Sequence, residues 1–101
     1  MTAQTKPSTP DHTRSWNVRL DLFEDDKEGD TTAHVVLDTG DNRLDRWASA
    51  HCHPGERLVP EIGDEYAAGR ALRELGQRLM DLGALDAEEN AHGRSDHPRG
   101  R

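Results

Sequence analysis

The chain has 101 residues, with 13 Lys+Arg against 20 Asp+Glu for a formal charge of −7, and only 32% of it is hydrophobic. With a mean hydropathy of −0.99, this bounds it to one small domain whose apolar residues are gathered in a few segments. No run reaches the roughly 18 to 20 apolar residues of a membrane span, and Met1 to Pro10 lacks the apolar stretch of a signal peptide. The single cysteine, Cys52, excludes an internal disulfide framework, so the expected compartment is the cytoplasm.

Residues 1–14, poor in apolar side chains and containing two prolines, read as a disordered tail, and so do residues 84–101. The fold is expected in residues 15–83. At that size a single core supplies only about 3 to 5 kcal/mol, which predicts a homodimer.

Trp16 to Phe23 alternates, with Trp16, Val18, Leu20 and Leu22 on one face and Asn17, Arg19 and Asp21 on the other, the period of a half-buried strand. Thr31 to Leu37 repeats the pattern, Ala33, Val35 and Leu37 facing in and Thr32, His34 and Val36 facing out. The intervening Glu24 to Asp30 closes a hairpin in which Gly29 can supply a positive φ. After the turn signal Asp38 to Asn42, a third strand is read over Leu44 to Cys52, with Leu44, Ala48 and Ala50 on one side and Trp47, Ser49 and His51 on the other.

Pro60 opens a helix at the position where its missing N–H is harmless, and Glu61, Asp64 and Glu65 complement the positive end of the dipole. Ile62, Tyr66, Gly69, Leu72, Leu75, Gly76, Leu79 and Met80 form the expected apolar stripe, with Gly69 and Gly76 as close-packing sites against the sheet or a partner chain. The helix is expected to run to Leu82 and stop at Gly83. The fold class is therefore α+β, a three-stranded antiparallel sheet followed by one long helix.

Three constellations bear on chemistry. Glu24, Asp26 and Glu28 ahead of Gly29 resemble the start of a calcium loop, but the twelfth position is Val35 where a bidentate Glu is needed. His51, Cys52 and His53 are zinc-ligand types, yet in a strand His51 and His53 point away from Cys52, so the run does not converge on one metal without His34 or a second subunit. The same geometry keeps the thiol from pairing with an imidazole as a nucleophile, and no phosphate-binding glycine motif or nucleophile elbow occurs. No cofactor is expected, and the chain reads as non-enzymatic. Residues 15–83 hold eight basic and fifteen acidic side chains, which excludes a broad grip on phosphate and makes DNA an unexpected partner. Arg43, Arg70 and Arg73 remain as a candidate local patch, and Trp47 as a candidate apolar contact.

Pro54, Val59-Pro60-Glu61-Ile62-Gly63-Asp64-Glu65, Ala67, Arg70-Ala71-Leu72, Leu75 and Leu79 resemble the signature of the domain of unknown function 1876 family, short and mostly actinobacterial proteins. The resemblance spans Trp16 to Leu82. It implies a double-stranded-RNA-binding-type fold lacking the leading helix, a dimer, and an association with hypoxia or dormancy. It also implies a shape similar to ribosome hibernation factors, with a ribosome or RNA as partner; the alternative is a protein-interaction module with no RNA contact, which meets a ribosomal protein or other protein surface through apolar groups such as Trp47. The family's small alternating residues and Ala-Arg pair of the third strand are replaced here by Arg46, Ala48 and Ala50-His51. Where RNA-binding relatives of the fold carry lysines at the helix start, this chain has Glu61, Asp64 and Glu65.

Overall fold

The computed structural model describes residues 10–52 and 59–96, with side chains to residue 91. Three strands, β1 (Asn17–Asp25), β2 (Asp30–Asp38) and β3 (Arg43–His51), precede one helix, α1 (Pro60–Asp96). The sheet is antiparallel in the order β1-β2-β3. Each expected strand is present, displaced by one or two residues at its ends. Both connections are tight turns built on a glycine of positive φ, Gly29 at 74° and Gly40 at 93°. The acidic β1–β2 hairpin is organised by Asp25, whose Oδ1 accepts from the backbone N–H groups of Lys27 and Glu28 at 3.1 and 3.2 Å. The Asp25 carboxylate is thus a turn former.

Alternation gives the sheet two unlike faces. Thr31, Ala33, Val35 and Leu37 of β2 are buried beneath α1 together with Ala50 of β3. The helix closes this face with Ala67, Ala71 and Leu75, and Leu20, Leu44, Ala48 and Leu79 pack around the cluster.

The buried helix stripe differs from the expected one. Ile62, Tyr66, Leu72 and Met80 are 51%, 60%, 46% and 70% exposed, and the residues turned to the sheet are Gly63, Ala67, Ala71, Leu75 and Leu79, spaced four apart. Small side chains won because they let the helix axis approach the sheet. A Cβ on Gly63 would stand 2.6 Å from Thr31 Oγ1. Gly69 and Gly76, read as packing sites against the sheet or a partner chain, have open space around a Cβ position among the described residues, so neither is a close approach to the sheet.

The helix also fails to stop at Gly83. It continues to Asp96, 37 residues in all, so residues 84–96 are helical where a disordered tail was expected. Ala84, Leu85, Ala87, Glu88, Glu89 and Ala91 are strong helix formers, and one glycine without a left-handed cap does not break such a run. At 1.5 Å per residue the helix is about 55 Å long, nearly twice a nine-residue strand at about 30 Å, so Gly83 to Glu89 extend past the sheet and are exposed. No described helix is long and apolar enough to cross a membrane.

Candidate functional site

Among the described residues, nothing covers the face of the sheet away from α1. Pairing places its outward residues in rows across the strands: Arg19, Val36 and Asp45; then Asp21, His34 and Trp47; then Phe23, Thr32 and Ser49. Trp47 lies directly opposite His34, and the two rings stack with centroids 4.0 Å apart and planes 11° from parallel. Phe23 extends the stack from β1, its centroid 6.0 Å from that of Trp47. The three rings form one platform across all three strands, with Trp47 55% and Phe23 52% exposed. His34 is fixed from the side. Its Nε2–H donates to Asp45 Oδ2 at 2.8 Å, which sets the tautomer because a carboxylate only accepts. Arg19 is likewise engaged, its Nε 3.1 Å from Asp21 Oδ2, and Thr32 Oγ1 and Ser49 Oγ share a hydrogen bond of 3.2 Å.

The candidate arginines are not brought together. Arg43 lies at the outward start of β3, opposite Asp38. Arg70 is on the other side of the sheet, donating from Nη1 to the Ser49 carbonyl at 2.6 Å and lying over the Tyr66 ring at 5.8 Å. Arg73 is exposed on the helix. Arg70 is thus a tether between α1 and the β3 edge, and the three do not make one patch. Of the candidates read from the sequence, Trp47 alone sits at the centre of a constructed surface. Of its partners, His34 is read from the sequence as a site residue only in the sense of an additional metal ligand for the His51-Cys52-His53 run, and Phe23 carries no expected role. The available signal was parity, since an aromatic at Phe23 falls in register with the polar residues of β1.

The family-motif residues serve the helix start. Val59 offers its carbonyl to the Ile62 N–H at 3.0 Å, Pro60 is the first helical residue, and Glu61 supplies first-turn acidity. Ile62 and Glu65 are exposed, Ala71 is buried and Leu72 half-exposed. Asp64 faces the hairpin, where its carboxyl meets that of Glu24. The hydrogen bond that the protonated Glu24 carboxyl donates to Asp64, and the nearby Asp64 charge, hold the Glu24 carboxyl above its usual pKa. Pro54 and His53 lie outside the described residues. His51 is held through Nδ1 by Asp30, and the Cys52 N–H donates to the Gly29 carbonyl at 2.9 Å. No cluster of three metal-ligating side chains occurs among the described residues.

The fold recurs in a solved structure. A solved structure described as that of Rv2632c superposes with a TM-score of 0.72 at 27% identity, covering 82% of this chain and 98% of the other. An uncharacterized protein of Mycobacterium bovis, Mb1767, is 38% identical over 77 residues, 76% of this chain and 80% of the relative. The uncharacterized protein Rv2632c of Mycobacterium tuberculosis is 28% identical over 74 residues, 73% of this chain and 80% of the relative. The family's profile matches residues 14–96, from just before β1 to the end of α1. The chain belongs to the Rv2632c-like family.

Proposed function

We propose that the chain is a non-enzymatic, cytoplasmic accessory protein of the stress or dormancy response, acting as a homodimer that docks onto a macromolecular partner through the open face of its sheet. The observation that carries this reading is the platform of Phe23, His34 and Trp47, whose two largest rings are more than half exposed. A soluble domain with so small a core gains more by burying such rings than by displaying them. Kinship with the domain of unknown function 1876 family and with double-stranded-RNA-binding folds belongs to the same reading, supported by the β-β-β-α order. It makes the ribosome the first partner to try. A protein surface on that particle suits the site better than RNA, because the arginines are dispersed and the helix start is acidic.

The dimer is supported by what α1 leaves uncovered. The helix lies over β2 and β3, so Val18 and Leu22 of β1, inward by register, stay 56% and 37% exposed. Leu72 projects on the same flank. A second copy covering these residues supplies the apolar burial that one copy lacks.

The test is co-sedimentation with ribosomes in extracts of growing and starved cells. Wild type should pellet with the particle, Trp47→Ala should stay in the supernatant, and a double charge reversal at Arg70 and Arg73 should leave pelleting intact. Loss on the arginine reversal with retention by Trp47→Ala transfers the contact to the helix, and no pelleting by any form removes the ribosome.

A further inference from the structure

We propose that the open face of the sheet is a receptor for arginine side chains on a basic protein segment, with Trp47 as the stacking surface and Asp21 and Asp45 as the carboxylates that pair with the guanidinium. The proposal rests on the docking reading above and names the chemistry of the partner. Charge selects it. Of the fifteen outward register positions of the three strands, five are aspartates (Asp21, Asp25, Asp30, Asp38 and Asp45) and two are arginines (Arg19 and Arg43). Arg19 is already turned onto Asp21. The platform is therefore an aromatic surface in an acidic field, which repels nucleic-acid phosphate and attracts cations.

The rings narrow the choice of cation. A guanidinium is planar and weakly hydrated, stacks on an indole face, and presents donors in a fork that matches a carboxylate, while a lysine ammonium is a strongly hydrated point charge. Asp45 is poised for that fork. His34 takes one of its oxygens, Oδ2, and the side chain remains 54% exposed. Asp21, 40% exposed, lies across His34 from Trp47 in the same row, so an arginine over the platform lies between carboxylates on either side. Arg19 on Asp21 shows the preference within the chain itself. A second copy of this face is the poorer occupant, because apposing two such surfaces sets ten aspartates against four arginines.

The experiment uses the full chain with Trp16→Phe, leaving Trp47 as the single tryptophan, and follows its fluorescence on titration with three probes. These are an arginine–glycine repeat peptide, the same peptide with lysine for arginine, and a single-stranded RNA oligonucleotide. The arginine peptide should perturb Trp47 emission and bind at least about threefold more tightly than the lysine peptide, weakening as salt is raised. Asp21→Asn with Asp45→Asn should weaken it about tenfold, and so should Trp47→Ala measured by calorimetry, whereas Trp47→Phe should retain most of the affinity. Thermal unfolding of each variant certifies the fold.

Equal binding of both peptides, or binding indifferent to Trp47→Ala, overturns the proposal and reduces the face to a diffuse acidic attractor. Tighter binding of RNA than of the arginine peptide overturns it in favour of base stacking. Self-association lost on Trp47→Ala overturns it in favour of a second copy. Failure of the arginine peptide while Trp47→Ala still abolishes ribosome pelleting removes the arginine receptor and leaves the docking reading standing.

Discussion

Under the helix, the buried hydrophobic side chains of the sheet are Ala33, Val35, Leu37 and Ala50, and α1 closes over them with Ala67, Ala71 and Leu75, so among the described residues the covered face holds aliphatic side chains, four of them alanines, and no aromatic ring. On the other face Trp47 and Phe23 stand more than half exposed around His34. The covered face uses small residues because a helix lying close to the sheet has no room for rings, as the 2.6 Å approach at Gly63 shows. The open face carries the rings because nothing among the described residues lies over them. In a domain this small, apolar area left outside is withheld from stability, so the comparison teaches that one face holds the fold together while the other is available for binding.

The strongest way to break that comparison is Leu75→Ala. Leu75 is 4% exposed in the core cluster, and its truncation should cost about 2 to 5 kcal/mol in urea unfolding. Leu72→Ala, three residues away on a flank that is 46% exposed, should cost under about 1 kcal/mol in the monomer. Equal losses mean that the helix face is misassigned.

Gly63→Ala comes next. The new methyl meets Thr31, which is 5% exposed and has little room to move, and the overpacking should cost about 1 to 3 kcal/mol. Gly76→Ala, with open space around it, should instead raise stability by about 0.5 to 1 kcal/mol by favouring the helix. A loss there would place a partner's backbone against that seam in the dimer, which light scattering on the variant would detect.

Trp47→Ala should change the melting temperature little, because an exposed aromatic stack contributes about 1 kcal/mol or less to folding, while removing ribosome pelleting and weakening arginine-peptide binding about tenfold. A large thermal loss would make the platform part of the core and sink the contrast between the two faces.

The smallest effect is the pH response of the Glu24–Asp64 contact. Because Asp64 raises the Glu24 pKa in the folded state, the native form holds that proton more tightly than the unfolded chain does. This contribution is fully present below the unfolded value and is lost as pH rises through the folded one. Glu24→Gln should therefore melt higher than wild type near neutral pH, and the two should converge below the ordinary glutamate range of about 4.3. Parallel melting curves from pH 4 to 8 would show that the two carboxyls do not communicate.

How much of this was legible varies by element. Strand parity was, because one-residue alternation in Val18 to Leu22 and Ala33 to Leu37 maps directly onto two faces. The helix start was legible too, since Pro60 and the acids after it are a local signal. The helix stripe was legible only in part. Counting large apolar side chains selected Leu75 and Leu79, which do meet the core, but also Ile62, Tyr66, Leu72 and Met80, whereas the sheet selected Gly63, Ala67 and Ala71, residues whose merit is the distance they permit and not the area they bury. The platform was half legible. Trp47 stood out by itself, but its stacking on His34 depends on the β2–β3 register, which sets a residue 13 positions upstream directly opposite it.

What the sequence by itself determined is what local sterics and short periods dictate: three strands, two glycine turns at Gly29 and Gly40, the Pro60 helix start, the net charge of −7 and the division of each strand into two faces. Only the tertiary structure decided which helix face meets the sheet and which aromatic rings share a surface. Those outcomes depend on side chains far apart in the chain competing for one contact. There the close approach that alanine and glycine allow outweighs the larger transfer energy of a bulky residue that cannot fit.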